Sequence, residues 1–167
     1  MRFLKVIILI LVFLLLAVLL LGIFSKPKEI KTEIIINDSP ENVWKVFSQF
    51  DTYPSWNPFI TSIHGNIAVG EEITVSIQPP GDNAMKFTPT VIALEPHKEF
   101  RWLGVFIMKG VFDGEHFFQL IDNRNGTTTF IHGEKFKGAL VPFFNFNSTQ
   151  QGFTAMNIAL KDRVENN

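Results

Sequence analysis

Residues Val6 to Phe24 form an unbroken run of 19 apolar residues, and no other feature restricts the chain so tightly. At about 1.5 Å per residue the run makes a helix roughly 28 Å long, close to the ~30 Å hydrocarbon core of a bilayer. A helix packed on a soluble core keeps a polar face, and this run has none. Arg2 and Lys5 precede it; Lys26, Lys28 and Lys31 follow. A secretory signal also opens with positive charge and an apolar stretch, but its apolar core is about 7–15 residues and ends in a small-x-small cleavage site. The exit here, Leu21-Gly22-Ile23-Phe24-Ser25-Lys26-Pro27, has no such site. The run reads as an uncleaved single-pass anchor over residues 1–25, followed by a juxtamembrane linker over 26–29 and a folded domain over 30–167. Basic residues stand on both sides of the span, so the positive-inside rule does not choose an orientation. The very short tail before the span suits a cytoplasmic N-terminus, which puts the domain outside the cytoplasm. The chain has no cysteine, which excludes a lipoprotein anchor and fits either compartment.

Beyond the run the length suits one domain with a sizeable core. Setting aside Arg2 and Lys5, 13 basic residues face 16 acidic ones, a net charge of −3. There is no basic stripe for nucleic acid, and the juxtamembrane lysines serve as an interface anchor. The chain carries 18 Phe and 3 Trp against one Tyr, and only Phe3, Phe13 and Phe24 belong to the anchor region. Such a domain either packs an aromatic core or lines a cavity with rings.

Lys31 to Asn37 is β-branched and reads as a strand. Ser39 as N-cap, Pro40 at the first helical position and Glu41 in the first turn start a short helix whose apolar face is Val43, Val46, Phe47 and Phe50. Two prolines within Asp51 to Pro58 end it. Strand-like segments follow at Thr61–Val69, Glu72–Gln78, Met85–Leu94, Glu99–Phe106, Gly110–Ile121 and Thr127–Lys137, divided by turn signals. Short turns between consecutive strands make an antiparallel meander. From Pro142 to Val164, the residues Phe146, Thr149, Phe153, Met156, Leu160 and Val164 recur at helical spacing. This last helix is the one element long enough to cover the sheet's apolar face.

Ser39-Pro40-Glu41-Asn42-Val43-Trp44 and Tyr53-Pro54-Ser55-Trp56-Asn57-Pro58-Phe59 resemble the opening of the START-related helix-grip superfamily (SRPBCC), most closely its polyketide cyclase/dehydrase and lipid transport branch. Phe100-Arg101-Trp102-Leu103-Gly104, Gly114 to Phe118, His132 to Gly138, and Gly152-Phe153 through Met156-Asn157 to Lys161 extend the likeness over about Ile30 to Glu165. The resemblance implies an α+β fold, a curved antiparallel sheet around a long C-terminal helix, here preceded by a single transmembrane helix. It also implies an apolar cavity between sheet and helix, and binding of a hydrophobic small molecule or lipid. It supplies no shared catalytic residues and no cofactor.

Alternation along strands selects the inner face. Phe112, Gly114, His116, Phe118 and Leu120 share a face; so do Phe130, His132, Glu134 and Phe136, and so do Phe100 and Trp102. Trp102, His116, Phe118, His132 and Glu134 are therefore expected on one concave surface, with Trp56, Gly152, Phe153 and Met156 as further lining of a ligand site. The polar trio His116, His132 and Glu134 has three readings: a structural pairing, fixing points for a ligand's polar atom, or an acid/base group. No nucleophile accompanies it, and its spacing matches no metal motif. Gly152 is either a tolerated helical glycine or one that makes room for a ligand or a close helix–sheet approach. Three functions stay open: a membrane-tethered binder of an apolar molecule, an enzyme acting on one, and a cavity-free interaction domain filled with Phe.

Overall fold

A computed structural model describes residues 2–24 and 26–166; Met1, Ser25 and Asn167, at the edges of the expected segments, lie outside them. The elements are α1 (Arg2–Phe24), β1 (Lys28–Ile36), α2 (Pro40–Phe47), a 3₁₀ turn (Phe50–Ser55), β2 (Ile60–Gly65), β3 (Ile73–Ile77), β4 (Met85–Phe87), β5 (Thr90–Glu95), β6 (Glu99–Phe106), β7 (Phe112–Asp122), β8 (Thr128–Lys137), a second 3₁₀ turn (Val141–Phe143) and α3 (Asn147–Glu165). By length and composition α1 can cross a membrane, a test that a signal sequence near the N-terminus also passes.

The α+β architecture is as expected: antiparallel strands curve around the C-terminal helix. Five strands run in the order β1-β8-β7-β6-β5 and three in the order β2-β3-β4. The two sheets are stitched where Gly70 N donates to Val91 O at 2.8 Å, Val91 N to Glu71 O at 2.9 Å and Ile73 N to Pro89 O at 3.0 Å. The segment Met85–Leu94, read as one strand, divides at Pro89. Proline has no N–H to donate to a ladder, so the chain pairs with β3 before it and with β6 after it. The long helix begins at Asn147, later than the expected Pro142, because Val141–Phe143 forms a 3₁₀ turn and Phe144 is extended.

Ser39 caps α2 as expected, its side chain accepting from Asn42 N. The buried side of α2 is Val43, Trp44 and Phe47. On α3 the buried side is Gly152, Phe153, Met156, Asn157, Leu160 and Val164, directed at the sheet. Phe47 sits at the centre of the core, with ring centroids 4.8 Å from Phe118 and 5.6 Å from Phe130. The outer face of β7 also hides a ring. Phe117 lies over Gly133, where any Cβ would overlap it, and the cations of Arg101 and Lys135 stand 5.0 and 5.6 Å from its centroid. Parity alone marks that face as the polar one, yet Phe117 is buried on it.

Candidate functional site

Register brings the inner-face residues of three strands side by side: Trp102 opposite His116, His116 opposite Glu134, and Phe118 opposite His132. Trp102 stacks on the His116 ring at 4.5 Å and 9°. His132 stacks on Phe153 of α3 at 3.8 Å and 17°. Phe118 packs against both imidazoles, at 4.9 and 4.5 Å. Five of the expected residues, with Glu134 at the rim, thus form one cluster.

The trio is a hydrogen-bonded chain. Glu134 Oε2 lies 3.2 Å from His116 Nδ1, and His116 Nε2 lies 2.8 Å from His132 Nε2. Glu134 is partly exposed and lies flat over Gly114, where a Cβ would collide with its carboxylate. Both histidines are buried. Burial pushes the His132 pKa well below its ordinary 6.5, and the nearby His116 adds to the depression; Asn157 and the Phe153 backbone act the other way.

Held neutral, His132 carries one N–H. One N–H joins the two Nε2 atoms, and His116 Nδ1 meets the Glu134 carboxylate. The inner end of the chain remains open. His132 Nδ1 and Asn157 Oδ1 are both buried and form no hydrogen bond, although Asn157 Nδ2 donates to Thr32 Oγ1 at 3.0 Å. Buried polar atoms are nearly always paired, so two such atoms on facing elements mark the spot.

Other expectations need correction. Trp56 is not part of the cluster. Its ring packs on Tyr53 at 5.0 Å, its Nε1 donates to Thr52 Oγ1 at 3.1 Å, and the Arg163 cation stands 5.9 Å away. The 3₁₀ turn, locked by the Tyr53 hydroxyl donating to Phe47 O at 2.8 Å, holds it there. Met156 is fully buried in the general core. The space expected to be an apolar cavity is occupied by rings, chiefly Phe59, whose centroid is 5.3 Å from Phe153 and 6.0 Å from His132. Two open surface hollows lie elsewhere. One of about 270 Å³ is lined by Ser48–Asp51, His64 and Ile67 among others, and one of about 300 Å³ by Asn147, Gln150, Gln151 and Thr154.

Phe59 also accounts for Gly152. A Cβ at Gly152 would overlap the Phe59 ring, so the glycine permits a close approach. Asn57 sets that approach, its Oδ1 accepting from Phe59 N and Ile60 N at 3.0 Å each. Gly152→Ala should gain about 1 kcal/mol of helix propensity. It should lose about 1–3 kcal/mol to overpacking, because the enclosed Phe59 ring would have to be displaced. Net destabilisation in a urea titration is the expected result. Phe59 and Asn157 escape sequence reasoning as site residues: each stands in a motif of the family resemblance, but only the tertiary fold sets them beside His132.

Among curated proteins no sequence matches. Solved structures with this fold are many. Ginseng major latex-like protein 151 from Panax ginseng aligns with a TM-score of 0.67 at 11% identity, over 83% of this chain and 98% of its own. Norcoclaurine synthase from Thalictrum flavum, in complex with dopamine and hydroxybenzaldehyde, aligns at 0.66 and 13%, over 88% and 91%. The Zhui aromatase/cyclase from Streptomyces sp. R1128 aligns at 0.65 and 10%, over 84% and 94%. At such identities the likeness speaks for the fold. The family model described as polyketide cyclase / dehydrase and lipid transport matches residues 27–165, nearly all of the chain outside α1. With the helix-grip topology in place, the chain belongs to that polyketide cyclase/dehydrase and lipid transport family.

Proposed function

We propose that this protein is a membrane-tethered binder of a hydrophobic small molecule that carries a hydroxyl group. The observation that carries the reading is the inner end of the polar chain: a buried Nδ1 at His132 and a buried carbonyl oxygen at Asn157, amid rings, neither of them in a hydrogen bond. A hydroxyl answers both, accepting from one and donating to the other. The surrounding Phe and Trp rings suit the apolar body of such a molecule, in keeping with pockets that combine apolar walls and a few placed polar groups. The family suggests ligand binding or cyclase activity, which supports the same class of molecule. Because Phe59 fills the space, uptake requires its ring to swing off Gly152. The tether is α1.

Native mass spectrometry of the full-length protein, extracted from its membranes in mild detergent, tests this. One apolar hydroxylated molecule bound per chain is expected. His132→Phe and Asn157→Leu should each weaken its binding by up to about tenfold, the value of one neutral hydrogen bond. A chain that carries no such molecule and takes none up from a lipid extract would sink the proposal.

A second reading rests on the same chain of groups, which links a partly exposed carboxylate to the interior as a proton relay would. An enzyme would bind its substrate normally as the Glu134→Gln variant but turn it over at least about a hundredfold more slowly.

A further inference from the structure

Apart from α1, exposed large apolar side chains occur singly over most of the surface, at Ile35, Val69, Met85, Ile92, Ile121 and Ile158. Scattered residues of this kind are ordinary. One end of the domain is different. The β6–β7 loop exposes Phe106, Ile107 and Met108, and the segment after β8 exposes Phe143 and Phe144. Ile107 is 72% exposed and Phe143 82%. The two loops are joined by hydrogen bonds, Ala139 N to Gly110 O at 3.1 Å and Leu140 N to Val111 O at 3.0 Å, so these side chains belong to one ridge. Phe112 ties them further, its ring 4.8 Å from that of Phe144.

The backbone presents this ridge at a cost. Ile107 has a φ of 68°, left-handed and unfavourable for a β-branched residue. Glycine or asparagine would fit that position with less strain, yet the position holds an isoleucine and exposes it.

What covers the ridge is indicated by the end of α1. Gly22 lies against both loops, so close to the Gly110 carbonyl that a Cβ would collide with it, and that Cβ would come within 3.3 Å of Ala139 N. The apolar helix thus runs directly into the ridge, and Phe24 at its end is exposed as well. Exposed Lys26, Lys28, Lys109 and Lys137 surround this end. The acids near it are Glu29 and Asp113, and Asp113 is turned inward to accept from Gly110 N at 2.9 Å.

We infer that the domain docks on the bilayer that holds α1, with the Phe106–Met108 and Phe143–Phe144 tips inserted among the lipid headgroups and acyl ends. The lysines meet anionic headgroups around them. This rests on α1 spanning the membrane. It also gives an apolar route inward, since Phe112, Phe136 and Phe146 lead from the ridge toward Glu134, with Phe136 and Phe146 stacked at 4.0 Å.

The chain has no native cysteine, so single cysteines can be placed and labelled uniquely. Full-length protein with an environment-sensitive fluorophore at Ile107→Cys or Phe143→Cys is reconstituted into vesicles of phosphatidylcholine with phosphatidylglycerol. Asn125→Cys, in the β7–β8 turn at the opposite end of the domain, serves as the reference. The expected result is a blue shift at 107 and 143 and quenching of about twofold or more by lipids nitroxide-labelled high on the acyl chain, with neither effect at 125. Blue shift without lipid quenching would mark burial against a second copy and overturn the inference. Probes at 107 and 143 as wet as the one at 125, in protein that stays in the vesicles through a carbonate wash, would overturn the docking and leave the anchor standing. Release of the whole chain by carbonate would overturn both.

Discussion

Replacing Phe153 by alanine is expected to lower the unfolding free energy by about 3–5 kcal/mol, and Leu160→Ala by about 2–5 kcal/mol. Both side chains are fully buried. Phe153 stands between Phe59 and the two histidines, at 5.3 Å from one ring and 3.8 and 5.1 Å from the others, so its loss leaves a void that enclosed neighbours fill poorly. In a domain of this size such losses correspond to a melting temperature lower by about 10 °C or more. Circular dichroism melts would read it. Removal of everything from Pro142 onward should abolish cooperative melting altogether, because α3 covers the apolar face of the sheet. A truncated chain that still melted sharply at the original temperature would contradict this account of the fold.

The second large effect is on pH. His132 is held neutral in the folded state by burial, and its pKa lies well below 6.5 there. In the unfolded chain it takes up a proton near its ordinary value. Below pH 6.5 the unfolded state therefore binds more protons than the folded one, and stability falls as pH falls. The loss begins near 6.5 and continues until the folded state too is protonated. One such group costs about 1.4 kcal/mol per pH unit in that window. Urea titrations between about neutral pH and about pH 5 should show the slope, and His132→Phe should remove most of it. A variant with an unchanged slope would assign the effect to other groups.

How far the sequence foretells this structure depends on the distance over which each feature is decided. The start of α2 is written within a single turn, since Ser39, Pro40 and Glu41 each act locally. The inner face of β7 and β8 follows from alternation, so the convergence of Trp102, His116, Phe118, His132 and Glu134 is legible once the strands are read as neighbours. Pro89 is visible but easily undervalued: its missing N–H splits what β-propensity joins. Trp56 stands apart from the cluster because proximity in a motif does not say which way a 3₁₀ turn aims a ring. Filling of the interior by Phe59, and the placing of Asn157 beside His132, depend on side chains far apart in sequence meeting across the core. Residue spacing carries no signal for that. Gly152 is ambiguous in the sequence for the same reason, and the ring resting on it resolves the ambiguity in favour of close approach.

The pairing of β1 with β8 bears on the order in which the molecule assembles. Lys28 lies opposite Phe136 and Ile36 opposite Thr128, so the first strand of the domain waits for the last. The hairpins from β5 to β8 can zip locally as they form, whereas β1 must close a loop of nearly the whole domain, at an entropic cost that grows only with the logarithm of its length. Until then β8 has an unpaired edge and the cradle for α3 is incomplete. Fixing α1 in a bilayer would hold β1 next to the surface while the rest of the chain condenses, reducing the volume its partner must search. The tether would then shape the kinetics of folding as well as the address of the folded protein.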